Sequence, residues 1–339
     1  MTENGREESD ELLFEVPPSA VGMRLDRFLA ENLKDVSRSQ VQKAIRSAQV
    51  SMDGITAWKT GMALKPDTEI SFSPVEPTPL EAAPEDIPLQ VLYEDKQILV
   101  VDKPAGMVVH PAPGHPSGTL VNALLGRYPS LNEWEGLRPG IVHRLDRGTS
   151  GVIVVARTRK AAENLSEQFM ERKVFKGYVA LCAGVPQESG RIDKPIGRHP
   201  RDRKRFSTLA KTGRHATTLW VRIHSDSRHA LLAIRILTGR THQIRVHLSE
   251  NNLPILGDTM YGPQRRALAS AAFASRHFQD GALLHAALLG LHHPISGEQM
   301  WFYAPPARIL DGCLELWPDV DLRSQPWNAP TTYSEEESG

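Results

Sequence analysis

The apolar positions of this chain change period along its length, and the change divides it in two. Between Arg24 and Leu33, Leu25, Phe28, Leu29 and Leu33 recur at helical spacing. Val41, Ala44 and Ile45 mark the apolar face of a second helix, for which Ser37 or Ser39 offers a cap. Asp53-Gly54 predicts the tight turn of a hairpin directly afterwards. Pro74, Pro77, Pro79, Pro84 and Pro88, with acids between them, then predict a stiff extended linker. Beyond Leu89 the pattern turns to short β-type runs at Ile98 to Val101, Val152 to Ala156, Tyr178 to Cys182 and Leu231 to Leu237. Helical candidates at Asn122 to Tyr128 and Arg159 to Arg172 interrupt them. In the run from Phe175, alternation sends Tyr178, Ala180 and Cys182 to one face and Val179 and Leu181 to the other. The expected organisation is an acidic, disordered tail (1–12), a small helix-and-hairpin domain (13–75), a Pro-rich linker (76–88), a large domain (89–322) and a loose tail (323–339).

Composition narrows the class. The chain begins without an apolar leader and carries no run of membrane-spanning length, so a cytoplasmic, non-membrane protein is expected. The two cysteines, Cys182 and Cys313, lack metal-type spacing and fit a reducing compartment. Net charge is zero, yet Arg138 to His247 holds 23 Lys/Arg against 8 Asp/Glu, while both ends of the chain are acidic. A basic surface in the middle of a neutral molecule fits a nucleic-acid partner. The densest stretch, Arg198 to Arg205 and including Arg203, is the first candidate for that contact, because like charges so close repel each other when unpaired. Phosphate loops, dinucleotide fingerprints and internal repeats are missing from the sequence.

Two clusters carry candidate chemistry. His143-Arg144-Leu145-Asp146-Arg147-Gly148-Thr149-Ser150-Gly151 sets one carboxylate among basic neighbours in a glycine-punctuated loop, just before an apolar strand. Burying Asp146 without partners would be costly, so the neighbours point to a group held for use. Thr238 to Leu248 follows another strand-like run; Thr241 is the expected N-cap of a short helix whose buried face holds Ile244 and Leu248. Arg245 projects from that helix, where it could meet a buried carboxylate bidentately.

In this order the segments resemble the RluA-type pseudouridine synthases, and within them the RluD-like branch that acts on large-subunit ribosomal RNA. The resemblance is carried by Val101 to Pro111, Gly140 to Gly151, Tyr178, Gly239 to His247, Pro254 to Asp258 with Tyr261-Gly262, His285-Ala286 and His293-Pro294. It spans roughly residues 12 to 310. The N-terminal segment is similar to an S4 RNA-binding domain, which would place Arg24, Arg27, Arg38, Lys43 and Arg46 on two adjacent helices along a phosphate backbone.

The resemblance implies an α+β protein, in which the S4-like domain precedes a catalytic domain with a large mixed, mostly antiparallel sheet and a central cleft. It implies isomerisation of uridine to pseudouridine in RNA, without cofactor or metal. The partner would be large-subunit (23S) rRNA or a pre-ribosomal particle, met by a monomer. Glycoside hydrolysis normally uses two carboxylates; a single one, Asp146, suits a reaction in which no water is activated. Asp146 would attack C1′ or take a proton from C2′. Arg245 would pair with it, and Tyr178 would stack on the base and take the C5 proton. Arg144 would fill the space left by the flipped uridine, with Arg147, Arg203 and Arg240 as further RNA contacts. Gly148 and Ser150 depart from the family's usual acid and Thr, which bears on the target more than on the reaction. Two rival readings stand beside this one: a metal hydrolase, suggested by thirteen histidines, and an RNA-binding factor that has lost catalysis. His242 and His247 lie five apart, which is poor spacing for two ligands on one helical face, and an inactive relative would be expected to lose Asp146, Tyr178 or Arg245.

Overall fold

The structure is a computed structural model that describes residues 12–33, 36–46, 49–57, 59–72, 82–112, 115–133, 139–202, 204–262, 271–279 and 281–319. The expected loose tail (323–339), all of the expected acidic tail (1–12) except Leu12, residues 76–81 of the expected linker and Arg203 lie outside them. The chain forms two compact units, residues 1–80 and 81–339.

The first unit holds β1 (Leu12–Glu15), α1 (Leu25–Asn32), α2 (Arg38–Arg46), β2 (Val50–Met52), β3 (Ile55–Thr56) and β4 (Glu69–Phe72). Its sheet runs β1-β4-β2-β3. The helices form where the 3.6-residue period predicts them, and Leu25, Phe28, Leu29, Val41 and Ile45 close a core against Val50, Ile70 and Phe72. Ser37, directly before α2, exchanges hydrogen bonds with Gln40, so it and not Ser39 serves as the cap. Asp53 and Gly54 both take positive φ (51° and 74°), as the two-residue hairpin turn requires.

The second unit is built on one mixed sheet. Its elements are β5 (Gln90–Glu94), β6 (Ile98–Lys103), α3 (Leu120–Arg127), β7 (Ser150–Ala156), α4 (Arg159–Met170), β8 (Phe175–Ala183) and β9 (Ser189–Asp193). A small hairpin of β10 (Gly197–Arg198) and β11 (Phe206–Ser207) follows. Then come β12 (Thr217–Ser225), β13 (His229–Ile236), α5 (Gln243–Glu250), α6 (Ala271–His277), β14 (Leu284–His292), β15 (Gln299–Tyr303) and α7 (Ala307–Leu316). Strand order is β5-β6-β7-β14-β8-β13-β12-β9, with β15 on the second half of β14. Among the described strands only β7 and β14 pair parallel.

The alternation expected in β8 holds: Tyr178, Ala180 and Cys182 join the core on one face, and Val179 and Leu181 join the core on the other. Both faces of this central strand are therefore buried, and helices and loops cover them. The part of the expected linker that is described is bound to this unit: Asn122 donates to Ala83 O, and Glu85 N–H donates to Asn122 O. The sheet register brings the chemistry together. Ser150 at the start of β7 pairs with His285 of β14, which pairs in turn with Val179 of β8. The loop before β7 and Tyr178 thus come to the same region from opposite sides of β14.

Candidate active site

Asp146 lies in the turn that feeds β7, where Thr149 N–H donates to the Asp146 carbonyl at 3.0 Å. The turn is fixed from below. Lys103, fully buried at the end of β6, donates from Nζ to the carbonyls of Pro104 (2.8 Å) and Met107 (2.9 Å), and Gly106 N–H donates to Arg147 O. Burial lowers the Lys103 amine to about 7, against the pull of the Asp146 and Asp102 charges. Leu145 turns into the main core. Gly151 has φ +113°, and a Cβ there would lie 2.2 Å from Ala286 O, so the close β7–β14 contact requires glycine.

Arg245 stands on α5 with its guanidinium divided between two carboxylates. Nε and Nη2 donate to Asp258 at 2.6 and 2.9 Å, and Nη1 donates to Asp146 Oδ2 at 3.1 Å. The bidentate partner is thus Asp258, whose side chain is fully buried and also accepts from the Met260 and Tyr261 N–H groups. Burial alone would raise the Asp258 pKa; the Arg245 bonds and charge keep it below the usual range. Asp146 receives one bond, at Oδ2, and its side chain remains 20 % exposed. Sequence reasoning missed Asp258: it falls inside the Pro254 to Asp258 motif, but no local signal says that it would meet a side chain on α5.

The expected cap at Thr241 is corrected by the structure. Helix α5 starts at Gln243, and His242 occupies the cap position in left-handed conformation (φ 57°) without a side-chain capping bond. Gln243 folds back instead, accepting from Arg240 N–H and the Thr238 hydroxyl. This shift turns His242 toward the site. Its Nε2 lies 4.0 Å from Asp146 Oδ2, and its Nδ1 lies 2.9 Å from the Tyr261 hydroxyl.

A cavity of about 570 Å³ opens over these groups, lined by Asp146, Tyr178, His242, Arg245, Lys176 and Arg240 among others. Burial, reinforced by the Asp146 charge, raises the Tyr178 phenol well above its ordinary value, so at neutral pH it is protonated. Arg144 is exposed beside Asp146 and lines the same cavity. His143 is structural: Nε2 accepts from Val154 N–H at 3.0 Å, its ring stacks on Phe169, and burial lowers it to about 3. Arg147 donates to Gly106 O, and Arg240 to His215 O, each at 3.1 Å. His247, a member of the suggested histidine cluster, is bonded to Thr218 Oγ1 and Lys194 O inside the core. Among the described residues no three His, Cys, Asp or Glu side chains converge as they would around a metal, and no helix is long and apolar enough to cross a membrane.

In the first unit Asp26 is buried and gathers two of the five expected RNA contacts, Arg24 and Arg38. It accepts from Arg24, Arg38 and Gln42, and these bonds hold it at about 2 although burial works the other way. Arg24 and Arg38 keep about half their side-chain surface exposed while anchored, and Arg27 pairs with Glu31. Lys43 and Arg46 stand on α2, Arg46 exposed at its last turn.

Comparison with known proteins places the chain in a family. Residues 97–250 match the RNA pseudouridylate synthase family, and residues 23–70 match the S4 domain. An uncharacterized RNA pseudouridine synthase of Chloroflexus aurantiacus is 49 % identical, over 88 % of this chain and 91 % of that one. The ribosomal large subunit pseudouridine synthase D of Xanthomonas campestris pv. campestris is 45 % identical, over 86 % and 87 %. Among solved structures, human RNA pseudouridylate synthase domain containing 4 is similar with a TM-score of 0.53 at 27 % identity, covering 67 % of this chain and 92 % of that one.

Proposed function

Since the chain belongs to the RNA pseudouridine synthase family and is an isomerase acting on RNA, we propose that it modifies uridines of large-subunit ribosomal RNA in the cytoplasm, with Asp146 as the reacting carboxylate. The observation that carries the residue assignment is the Arg245–Asp146 bond of 3.1 Å in a cavity of about 570 Å³, roomy enough for a nucleotide, that Tyr178 also lines. The ribosomal target is supported by the relatives named as ribosomal large subunit pseudouridine synthase D.

The target uridine leaves its stack to enter the cavity, at a cost of a few kcal/mol. Arg245 aims Asp146 through its Nη1 bond, and Asp146 reacts at the ribose, either bonding to C1′ or removing the C2′ proton. The N1–C1′ bond breaks and uracil turns. C5 bonds to C1′, the C5 proton leaves, and N1 gains a proton, so atoms and oxidation state balance without a redox partner. Tyr178 stacks on the base as a neutral phenol, held protonated first by burial and then by the Asp146 charge; it can take the C5 proton only by passing its own hydroxyl proton on in the same step. Arg144 at the cavity mouth fills the vacated position in the RNA, with Arg147, Arg240 and the S4-unit cations along the backbone.

Tritium release from C5-labelled large-subunit rRNA, measured beside Asp146→Asn, tests the reading. Release by the parent and none by the variant, at equal RNA affinity, is expected. Release at the parental rate from Asp146→Asn would remove Asp146 from the reaction, and release from tRNA but not rRNA would replace the target.

A further inference from the structure

We propose that His242 and Tyr261 are positioning residues for the Asp146 carboxylate, joining it to the basic hairpin β10–β11 through a directed chain of hydrogen bonds. The inference rests on the reading of Asp146 as the reacting group.

The direction of the chain follows from its far end. Phe206, in β11, donates its backbone N–H to the Tyr261 hydroxyl oxygen at 2.8 Å. The Tyr261 hydrogen is then left for His242 Nδ1 at 2.9 Å. With the Tyr261 hydrogen assigned to that contact, Nδ1 is the acceptor and the ring proton sits on Nε2, the nitrogen 4.0 Å from Asp146 Oδ2. Every donor in the sequence Phe206, Tyr261, His242 points toward the carboxylate, an arrangement in which successive bonds polarise one another. Arg245 reaches the same Oδ2. Both donors thus act on one oxygen and leave Oδ1 to the substrate. At 4.0 Å the last link is not a hydrogen bond in this structure; for the chain to act it must shorten when substrate binds, as catalytic hydrogen bonds are commonly long before that.

Backbone conformation supports a fixed role. His242 sits at φ 57°, a left-handed conformation that is unfavourable for a non-glycine residue and persists where the surroundings hold it in place. Its ring is held edge-on by Phe206 (5.6 Å) and Tyr261 (5.5 Å). Burial favours the neutral imidazole, although Asp146 and Asp258 pull the other way and Arg245 and Arg144 assist. At the other end, the Arg198 guanidinium lies 4.5 Å over the Phe206 ring, and Arg205 lies 5.0 Å over the Tyr261 ring. A phosphate held by these arginines would bear on the two aromatic rings that fix His242, so backbone engagement and carboxylate alignment share one set of contacts.

The test uses full-length parent, Asp146→Asn, His242→Asn, His242→Gln and Tyr261→Phe proteins. Each is assayed for single-turnover tritium release against pH and for RNA affinity. Asparagine accepts the left-handed backbone well but carries no donor at the Nε2 position. His242→Asn should lower the single-turnover rate about 10- to 100-fold, the loss of one bond to a charged group, with RNA affinity within about threefold. Its acid limb should move to higher pH, because the carboxylate has lost a donor that favours its charged form. His242→Gln, whose amide reaches to Nε2, should recover most of the rate. Tyr261→Phe should lower the rate and move the limb in the same direction. A His242→Asn protein with a rate within about twofold of the parent and an unmoved acid limb overturns the proposal. Equal losses in the Asn and Gln variants with an unmoved limb also overturn it, since that pattern is packing alone. Activity retained by Asp146→Asn would instead bring down the underlying reading, which keeps the two failures distinct.

Discussion

Exchanging Asp258 for Asn tests whether the site is held together from behind by the buried ion pair. Asp258 Oδ1 accepts from Arg245 Nη2, Met260 N–H and Tyr261 N–H, all at 2.9 Å, while Oδ2 accepts only from Arg245 Nε at 2.6 Å. Asparagine can keep the three Oδ1 bonds, but it places an NH₂ against the Arg245 N–H. One charge-assisted bond is lost, the counter-charge disappears, and two donors face each other. We expect a loss of about 3 kcal/mol. Arg245→Met strands the Asp258 carboxylate and should cost about 3–5 kcal/mol. The double variant buries neither charge, so its loss should fall short of the sum of the single losses by about 2–3 kcal/mol. Urea unfolding followed by tryptophan fluorescence suits the measurement, because five of the six tryptophans (Trp134, Trp220, Trp301, Trp317 and Trp327) belong to the second unit, and Trp58→Phe removes the one in the first. The midpoint should shift at constant slope. Losses that add within about 0.5 kcal/mol would show that the pair contributes no coupling and would refute the reasoning.

Lys103 should make stability depend on alkaline pH. Its folded value of about 7 lies below the 10.5 of an unfolded lysine, so between these the unfolded chain binds the extra proton and parental stability rises with pH. Lys103→Met should flatten the rise between about pH 7 and 9.5, leaving the part due to Lys176, which burial lowers to about 8; equal slopes would contradict this. Gly151→Ala should destabilise the second unit by at least about 2 kcal/mol through its positive φ and the Ala286 carbonyl, and a melting temperature within a degree of the parent would disprove it. Removing residues 1–80 should reduce the slope of log affinity against log salt by about 0.7–0.9 for each phosphate that the S4 unit neutralises, while leaving the modified uridine unchanged. Redirected modification would instead show that the S4 unit chooses the site.

The sequence alone determined what depends on neighbours within a few residues. Helical spacing placed α1, α2, α3 and α4, alternation divided the two faces of β8, and Asp53-Gly54 fixed a turn with both residues at positive φ. The His143–Gly151 and Gly239–His247 motifs were legible as candidate site segments because each is contiguous in the chain, and residues of both line one cavity. Contacts between distant segments were decided by tertiary structure. Arg245 and Asp146 are 99 residues apart, and Asp258 enters from a third segment. Whether Asp146 or Asp258 takes the two-pronged bond depends on sheet register and on where α5 begins. That start in turn was set by the Gln243 side chain folding back to Thr238 and Arg240 rather than by the capping preference of Thr241. Local preference differs by about 1 kcal/mol between such caps, and a buried hydrogen-bond network outweighs it. A left-handed His242 facing the carboxylate follows from that competition, which is settled only once the strands and α5 are packed.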